Sequence, residues 1–361
     1  MPRKRIIRMP TFNHSDIDRL SGELANASKT VIVTHFKPDG DAMGSSTAMY
    51  SFIRRFFNCD VKIVLNDRYP HSIAFMVSEE VENDILTYEE NCEEALTAIR
   101  EADHIIALDF NAFHRTDHLE SALAQSSAFK VLIDHHLNPD KDAFDLTFSV
   151  QEISSASELL YHILKATPQC GGKAENLPFY AAESLMTGMT TDTNNFANST
   201  YPSTLMMASE LISIGVDRDR ILSNLYNQYG ENRLRLLGHI LKDLMTITED
   251  GVAYIVLDKT TLDKYEIKEG DTEGFVNMPL SIDRVKMSLL LKEDGDRIRV
   301  SIRSRKGISA NRCSRLHFNG GGHENAAGGR LNIPADIEGI DKAGEYIEKH
   351  THIFINEENE A

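Results

Sequence analysis

Aspartate and histidine residues recur where predicted strands and helices end. They lie in the segments HFKPDGDAMGSS, HIIALDF, KVLIDHH and GMTTDTNNF, and they are His35, Asp39, Asp41, Asp109, Asp134, His135, His136 and Asp192. Carboxylates that converge away from water are costly unless cations compensate them, so the pattern predicts a metal centre. Carboxylate and imidazole ligands without thiolate favour manganese, magnesium or iron-like ions, although imidazole also binds zinc and cobalt.

The residue types also indicate how many ions such a centre would hold. Four carboxylates balance the charge of two divalent ions and two imidazoles add neutral ligands; these residues are Asp39, Asp41, Asp109, Asp192, His35 and His135. Two ions roughly 3.5 to 4 Å apart bind phosphate oxygens and lower the pKa of a bridging water toward neutrality. The sequence therefore predicts a two-metal phosphoesterase, with two Mn²⁺ ions as the first choice and Mg²⁺ or Co²⁺ as alternatives.

The elements that position these residues are typical of a parallel sheet. β-branched runs at residues 30–35, 61–66, 104–110 and 130–136 alternate with helical patterns at residues 44–57, 92–100, 154–166 and 177–189. Near-continuous apolar strands separated by helices predict an α/β domain whose parallel sheet carries helices on both faces. Ligands bind beyond the carboxyl ends of such strands. We also expect the amides of Gly44 and Ser45, at the start of the first of these helices, to receive an anion.

The pattern changes near residues 246–251, where ITEDG interrupts the helices. Strands are predicted at residues 251–257, 285–292 and 297–304, with an Asp-Gly hairpin turn between the last two. We therefore predict a first domain over residues 13–245, which includes linking helices, and a smaller C-terminal α+β domain over residues 250–354.

Composition excludes several classes of protein. The 361 residues carry 38 Lys+Arg against 55 Asp+Glu, a net charge of −17, which argues against binding long duplex nucleic acid through a broad basic face. The 4 cysteines form no CxxC pair, so a reducing, cytoplasmic location is expected. No apolar run approaches the ~20 residues that span a bilayer, so no membrane partner is predicted. The basic start, residues 1–14, is interpreted as a loose arm.

The ordered motifs, together with NGGGHENAAGG far downstream, resemble the DHH phosphoesterase superfamily with its DHH-associated C-terminal domain. The resemblance covers roughly residues 20–350. It implies that one ion has two ligands of its own, that the other has three, and that one carboxylate bridges them. The matching positions are His35 and Asp39 for the first ion, Asp41, His135 and Asp192 for the second ion, and Asp109 for the bridging carboxylate.

The resemblance also implies catalytic and substrate-binding residues. His136 resembles the family histidine that contacts the scissile phosphate and assists the leaving oxygen. Asp134 is expected behind the metal ligands, because ligating histidines usually donate their second N–H to a carboxylate or a carbonyl; the alternative is a cap at the end of the strand. Substrate contacts are expected from a strand, a glycine-rich segment and an arginine after the second motif, namely Ser301, Arg303, Gly320, Gly321, Gly322, His323 and Arg115.

Within the superfamily the chain is most similar to the stand-alone oligoribonucleases that also act as pAp phosphatases. The resemblance implies a hydrolase that converts RNA oligonucleotides of 2–5 nucleotides to mononucleotides, and 3'-phosphoadenosine 5'-phosphate (pAp) to AMP. The C-terminal domain would hold a terminal phosphate or nucleotide, and a homodimer is one candidate assembly. The alternatives are, in order, a phosphodiesterase of cyclic di-AMP or linear dinucleotides, a RecJ-like exonuclease and a non-catalytic nucleotide sensor.

Overall fold

The short apolar runs of the N-terminal half form one parallel sheet. The computed structural model describes residues 12–227, 230–268 and 270–360 and divides into two units, Met1–Gln228 and Tyr229–Ala361. Residues 1–11 of the predicted basic arm lie outside the described part of the chain. Strands of the first unit are β1 (Lys29–Val33), β2 (Asp60–Leu65), β3 (Ile85–Thr87), β4 (His104–Leu108), β5 (Phe129–Asp134) and β6 (Leu146–Ser149).

The strand order creates a position suited to ligand binding beyond the carboxyl ends of the central strands. The order is β3-β2-β1-β4-β5-β6 and every neighbouring pair is parallel. The order reverses between β1 and β4, and ligands bind beyond the carboxyl ends of strands at such a switch point. The four predicted strands are present, and the two edge strands β3 and β6 are additional.

Helices cover both faces of the sheet, as predicted. In chain order they are α1 (His14–Asn26), α2 (Gly40–Phe56), α3 (Glu79–Glu82), α4 (Cys92–Glu101), α5 (Glu120–Gln125), α6 (Ala156–Ala166), α7 (Phe179–Asp192), α8 (Pro202–Ser213) and α9 (Arg218–Tyr226). Short 3₁₀ segments lie at His71–Met76, Phe113–Leu119, Lys141–Ala143 and Ala174–Asn176. Ile32 of β1 packs into the core with α2, α6 and α7, whereas its neighbours Val31 and Val33 pack into the core with α4 and α5. This alternation buries both faces.

Helix α2 begins at Gly40, four residues before its predicted start. The Asp39 carboxylate accepts hydrogen bonds from the amides of Asp41 (3.0 Å) and Ala42 (3.1 Å), so it caps the helix. The expectation that Gly44 and Ser45 offer amides to an anion is therefore wrong, because both residues lie inside the helix and its ladder of backbone hydrogen bonds.

The second unit is a six-stranded mixed sheet with helices. Its strands are β7 (Met245–Ile247), β8 (Val252–Leu257), β9 (Met287–Asp294), β10 (Arg297–Ser304), β11 (Gly321–His323) and β12 (Ala326–Asn332). The order is β11-β12-β10-β9-β8-β7; β8 and β9 are parallel and the other pairs are antiparallel. Its helices are α10 (Glu231–His239), α11 (Lys259–Lys264), α12 (Ala310–His317) and α13 (Ala343–Glu360), with a π-helical turn at Ile240–Leu244 and 3₁₀ segments at Phe275–Ser281 and Ile340–Lys342.

The division between the units comes before α10 rather than at residues 246–251. Leu236 and Ile240 pack with Ile255, Leu257 and Leu290 of the second sheet, so this helical segment belongs to the core of the second unit. Sequence periodicity does not reveal which core a helix joins, because the same apolar stripe fits either sheet. Among the described residues, no helix combines the length and apolar character that crossing a membrane requires.

Candidate metal centre

The carboxyl ends of β1 and β4 bring His35 and Asp109 together. Nε2 of His35 lies 3.6 Å from Oδ2 of Asp109 and 3.9 Å from Oδ1 of Asp39. Nδ1 of His35 lies 2.8 Å from the carbonyl oxygen of Phe36, a contact that places the ring proton on Nδ1. The lone pair on Nε2 then faces the two carboxylates, in the orientation that a metal ligand needs.

Asp109 lies at the centre of the site. Its Oδ1 lies 3.4 Å from Nε2 of His135, and this buried oxygen has no hydrogen-bond partner. Its backbone is in the left-handed region, with a φ of 63°, at the turn that follows β4. A buried carboxylate oxygen without a donor is costly, and a cation bound beside it would satisfy it.

Asp41 is held by the start of another helix. Its Oδ2 accepts a hydrogen bond from the amide of Ala156 (2.6 Å) and its Oδ1 accepts one from the amide of Ser157 (2.9 Å). Both amides belong to the first turn of α6, where backbone N–H groups have no partner within the helix. Motif analysis did not single out this support, although the S-x-x-E pattern from Ser155 to Glu158 predicts a helix start.

A close contact between α2 and α7 brings Asp41 near Asp192. A methyl group on Gly44 would lie 2.8 Å from the Cα atom of Gly188, so the two helices touch through their backbones. Asp41 lies one turn before Gly44, and Asp192 lies one turn after Gly188 as the last residue of α7. The glycine contact therefore sets the separation of these two carboxylates.

The six residues predicted to bind metal form two groups of three that share one cluster. The ligand atoms within each group all lie within 4.8 Å of one another; the groups are His35, Asp39 and Asp109, and Asp41, His135 and Asp192. We call these six residues the Asp/His cluster. Asp109 connects the groups through its 3.4 Å contact with His135. Their donor atoms are all carboxylate oxygens and imidazole nitrogens, which suit a divalent ion such as manganese.

Excess negative charge shifts the titration of the cluster. Burial lowers the pKa of His35, but the attraction of Asp109 outweighs burial and raises the pKa to about 9. Burial is likewise outweighed at His135, where Asp109, Asp41 and Asp192 raise the pKa to about 10. Burial raises the pKa of Asp41 well above its usual range, and the charges of Asp109 and Asp192 add to that effect. Positive charge therefore stabilises the cluster, and protons or metal ions can supply it.

Asp134 and His136 form a hydrogen-bonded pair beside the cluster. Nδ1 of His136 lies 2.7 Å from Oδ1 of Asp134, and the His136 amide donates to Oδ2 at 3.1 Å. Nδ1 also lies 3.8 Å from Oδ1 of Asp109. Asp134 was expected to support a metal-ligating histidine, but the imidazole that it holds belongs to His136, the predicted phosphate contact.

The predicted substrate residues lie in both units. In the first unit, the carbonyl oxygen of Arg115 accepts a hydrogen bond from the Phe36 amide (2.8 Å), which places Arg115 beside the loop of His35. In the second unit, Ser301 and Arg303 lie on the same face of β10 because side chains alternate along a strand. Arg303 donates to the carbonyl oxygen of Ile302 at 2.9 Å, and burial lowers the pKa of its guanidinium.

The glycine-rich segment has a steric role that the sequence did not reveal. A methyl group on Gly320 would overlap the carbonyl oxygen of Gly328, and one on Gly322 would lie 2.6 Å from the carbonyl oxygen of Ala326. The Gly322 amide donates to Oδ1 of Asn311 at 3.0 Å. Gly320 and Gly322 are therefore needed for close packing of β11 on β12, whereas a methyl group on Gly321 would meet only side-chain atoms of Asn311 (3.4 Å) and Arg315 (3.8 Å) at ordinary contact distances. The side chain of His323 lies outside the described part of the chain.

Comparison with known proteins agrees with this architecture. Residues 29–189 match the model of the DHH family, N-terminal domain, and residues 249–349 match that of the DHHA1 domain. The bifunctional oligoribonuclease and PAP phosphatase NrnA of Bacillus subtilis is 28% identical over 323 residues, which cover 87% of this chain and 95% of that protein. The protein of the same name from Thermus thermophilus is 29% identical and covers 83% of each chain.

A solved structure matches almost the full length. An exopolyphosphatase-related protein from Bacteroides fragilis superposes with a TM-score of 0.87 and 36% sequence identity, covering 98% of this chain and 100% of its own. The first matched range falls within the first unit and the second matched range falls within the second unit. The chain therefore belongs to the DHH family of phosphoesterases, carries a DHHA1 domain, and is a hydrolase that acts on phosphoester bonds.

Proposed function

We propose that this protein hydrolyses RNA oligonucleotides of 2–5 nucleotides to mononucleotides and pAp to AMP, using two divalent metal ions. The observation that supports the proposal most strongly is the Asp/His cluster, whose six residues form two groups of three potential metal ligands. Relatives that match 83–95% of their own length carry the name oligoribonuclease and PAP phosphatase, which supports this choice of substrates.

The Asp/His cluster suits two ions with one carboxylate between them. His35 and Asp39 would hold one ion, Asp109 would bridge, and the other ion would be held by Asp41, His135 and Asp192. The buried Oδ1 of Asp109 fits this role because no hydrogen bond satisfies it. When bound, such ions neutralise charge on the phosphate oxygens and lower the pKa of a coordinated water. We propose Mn²⁺ as the preferred ion; Mg²⁺ and Co²⁺ also accept these ligands.

His136 and Asp134 would handle the proton that the leaving oxygen needs. The Asp134 carboxylate fixes the orientation of the His136 ring, with Nδ1 2.7 Å from Oδ1. A protonated imidazole can donate a hydrogen bond to the scissile phosphate and a proton to the leaving oxygen. In this role Asp134 is a positioning residue and His136 is the catalytic residue.

The second unit would bind a phosphate of the substrate away from the scissile bond. Arg303 is half-buried, and its guanidinium contacts carbonyl oxygens rather than a carboxylate among the described residues. A half-buried guanidinium that contacts carbonyl oxygens suits a phosphate, which an arginine can bind with two parallel hydrogen bonds. Ser301 on the same face and Gly321 of the same unit would add further contacts.

The proposal is tested by product analysis with purified protein and Mn²⁺. An RNA dinucleotide, a 24-mer, pAp, cyclic di-AMP and inorganic polyphosphate are incubated in parallel, with Asp192→Ala as the inactive control. We expect rapid release of mononucleotides from the dinucleotide, AMP from pAp and little product from the other three. Preference for cyclic di-AMP would instead assign a cyclic dinucleotide phosphodiesterase, and degradation of the 24-mer a RecJ-like exonuclease. No turnover of any substrate would contradict an enzymatic role.

A further inference from the structure

The buried Glu158 joins the start of α6, which supports Asp41, to the start of α8, which follows the segment that leaves Asp192. Glu158 has 0% of its surface exposed, and its Oε2 accepts hydrogen bonds from the Ser154 amide (3.1 Å), the Ser154 hydroxyl and the Thr204 hydroxyl (2.6 Å). Its Oε1 has no hydrogen bond, and Nε2 of His162 lies 3.7 Å from it. Because burial removes the hydration of a carboxylate, the charge of Glu158 depends on these partners.

The first connection runs through the start of α6 to Asp41. Glu158 lies three residues after the N-cap Ser155, whose hydroxyl oxygen accepts the Glu158 amide at 2.9 Å. Glu158 in turn binds the amide of Ser154, so both ends of this short segment are fixed. The segment carries the amides of Ala156 and Ser157, which donate to the two oxygens of Asp41 at 2.6 and 2.9 Å. A shift of the helix start would therefore rotate the Asp41 carboxylate.

The second connection runs through α8 toward Asp192. The Thr204 hydroxyl that donates to Glu158 also accepts a hydrogen bond from the Tyr201 amide at 3.0 Å, which fixes the beginning of α8. Residues 193–201 connect that beginning to Asp192, the last residue of α7. Glu158 thus holds the far end of the segment that leaves Asp192.

Glu158 carries a negative charge at neutral pH. Burial alone would raise the pKa of its carboxyl group, but the adjacent His162 ring and the hydroxyl groups of Ser154, Ser203 and Thr204 outweigh burial and hold the pKa below its usual value. Glutamine has nearly the same shape but no charge, and its amide group offers only one acceptor oxygen. A glutamine at this position would therefore weaken the hold on both segments without leaving a cavity.

We propose that Glu158 is a positioning residue for the metal centre, which sets the Asp41 and Asp192 carboxylates by fixing the starts of α6 and α8. The inference rests on the proposed function, because it assigns Asp41 and Asp192 to one metal ion. It adds a residue that contacts neither the ion nor the substrate. Residues that orient ligands in this way typically contribute a factor of roughly 10–100 to metal affinity.

The chain contains a matched control for a purely structural role. Glu210 of α8 also accepts hydrogen bonds from α6, from the Tyr161 hydroxyl and the Lys165 ammonium group. It therefore joins the same two helices, but through the later turns of α6 rather than the turn that supports Asp41. Glu158→Gln and Glu210→Gln both weaken the α6–α8 contact, and only Glu158→Gln removes support from Asp41.

The experiment measures Mn²⁺ binding to metal-free protein by electron paramagnetic resonance, together with thermal melting. We expect Glu158→Gln to raise the Mn²⁺ dissociation constant by roughly 10–100-fold and Glu210→Gln to leave it within about twofold of wild type, even where both melt earlier. If Glu158→Gln fails to fold, Thr204→Val removes one hydroxyl donor and is expected to weaken binding in the same direction.

Two results would overturn the inference while leaving the proposed function intact. One is a wild-type Mn²⁺ affinity in folded Glu158→Gln or, if Glu158→Gln does not fold, in Thr204→Val. The other is a loss of Mn²⁺ affinity in Glu210→Gln that equals the loss in Glu158→Gln when both variants show a similar fall in melting temperature. Wild-type protein that binds no Mn²⁺ would overturn the proposed metal centre and, with it, this role of Glu158.

Discussion

Nδ1 of His136 lies 2.7 Å from Oδ1 of Asp134, a carboxylate with 0% of its surface exposed. The second oxygen of Asp134 accepts the His136 amide at 3.1 Å, so the ring and its backbone are held by the same group. A buried carboxylate in this arrangement fixes the ring orientation and places a proton on Nδ1. The last residue of the LIDHH motif, His136, is thus held by Asp134, whereas the residue before it, His135, contacts Asp109 of the Asp/His cluster.

Asp134→Asn is expected to lower kcat for the RNA dinucleotide by roughly 10–100-fold, because the amide no longer offers the two carboxylate oxygens that fix the ring and the backbone of His136. Since Asp134 is not in the Asp/His cluster, Mn²⁺ affinity should stay close to that of wild type. Steady-state kinetics and a Mn²⁺ titration check both statements. An unchanged kcat would show that Asp134 has no such role, and a loss of Mn²⁺ binding would place it among the ligand supports instead.

Arg303→Lys is expected to raise KM for pAp and for the dinucleotide by roughly tenfold or more, because lysine cannot form the two parallel hydrogen bonds to phosphate. The effect on kcat should be smaller, since the contact is made in the ground state as well as the transition state. Arg305→Lys is the matched control: its guanidinium donates to the carbonyl oxygens of Leu280 (2.8 Å) and Ile282 (3.1 Å). Equal KM values for the two variants would contradict phosphate binding by Arg303.

Gly44→Ala is expected to destabilise the first unit by about 1–3 kcal/mol, because its methyl group would meet the Cα atom of Gly188 at 2.8 Å. The helices must then separate, which also moves Asp41 away from Asp192 and weakens Mn²⁺ binding. Gly22→Ala provides the control, since Gly22 lies within α1 and no atom approaches its added methyl group within 4 Å. Thermal melting should show a fall for Gly44→Ala and a small rise for Gly22→Ala; melting of both at or above wild type would contradict the close contact.

The hydrogen bonds of Asp84 predict a pH-dependent contribution to stability. Burial alone would raise the pKa of Asp84, but hydrogen bonds from Lys62 and Tyr50 outweigh burial and lower it below the usual 3.8. A lowered pKa in the folded state means that the carboxylate stabilises the fold above about pH 4, and that this contribution is lost as pH falls through the folded-state pKa.

Asp84→Asn should therefore reduce the melting temperature at pH 7 by about 2–4 °C, corresponding to about 1 kcal/mol, and the difference from wild type should shrink toward pH 3. Melting curves across that range test the pH dependence. Asp18→Asn, at an exposed position of α1, should show little difference at any pH. A difference between Asp84→Asn and wild type that is constant from pH 3 to pH 7 would contradict the assignment.

The sequence predicted the convergence of His35, Asp109 and His135 because strand ends in a parallel sheet meet at one edge. The 3.6 Å and 3.4 Å contacts of Asp109 follow from β1, β4 and β5 lying side by side. Their apolar runs are strong signals, and short connections leave few ways to arrange them.

Contacts between distant helices could not be predicted in the same way. The hydrogen bond between Asp41 and Ala156 joins residues 115 positions apart, and it depends on how α2 packs against α6. Periodicity shows that a helix has an apolar face but not which backbone group meets a given side chain. Strand β12 was missed for a different reason: its sequence AAGGRLN lacks β-branched residues, and the strand forms because β10 offers a partner edge.

The most direct test of the central claim is the rate of RNA dinucleotide hydrolysis as Mn²⁺ is titrated into metal-free protein. A centre that holds one ion at His35 and Asp39, a second at Asp41, His135 and Asp192, and shares Asp109 between them predicts no turnover without metal. It also predicts a rate that reaches its maximum when two ions are bound per chain. Full turnover after the metal has been removed, or saturation with a single bound ion, would contradict the account.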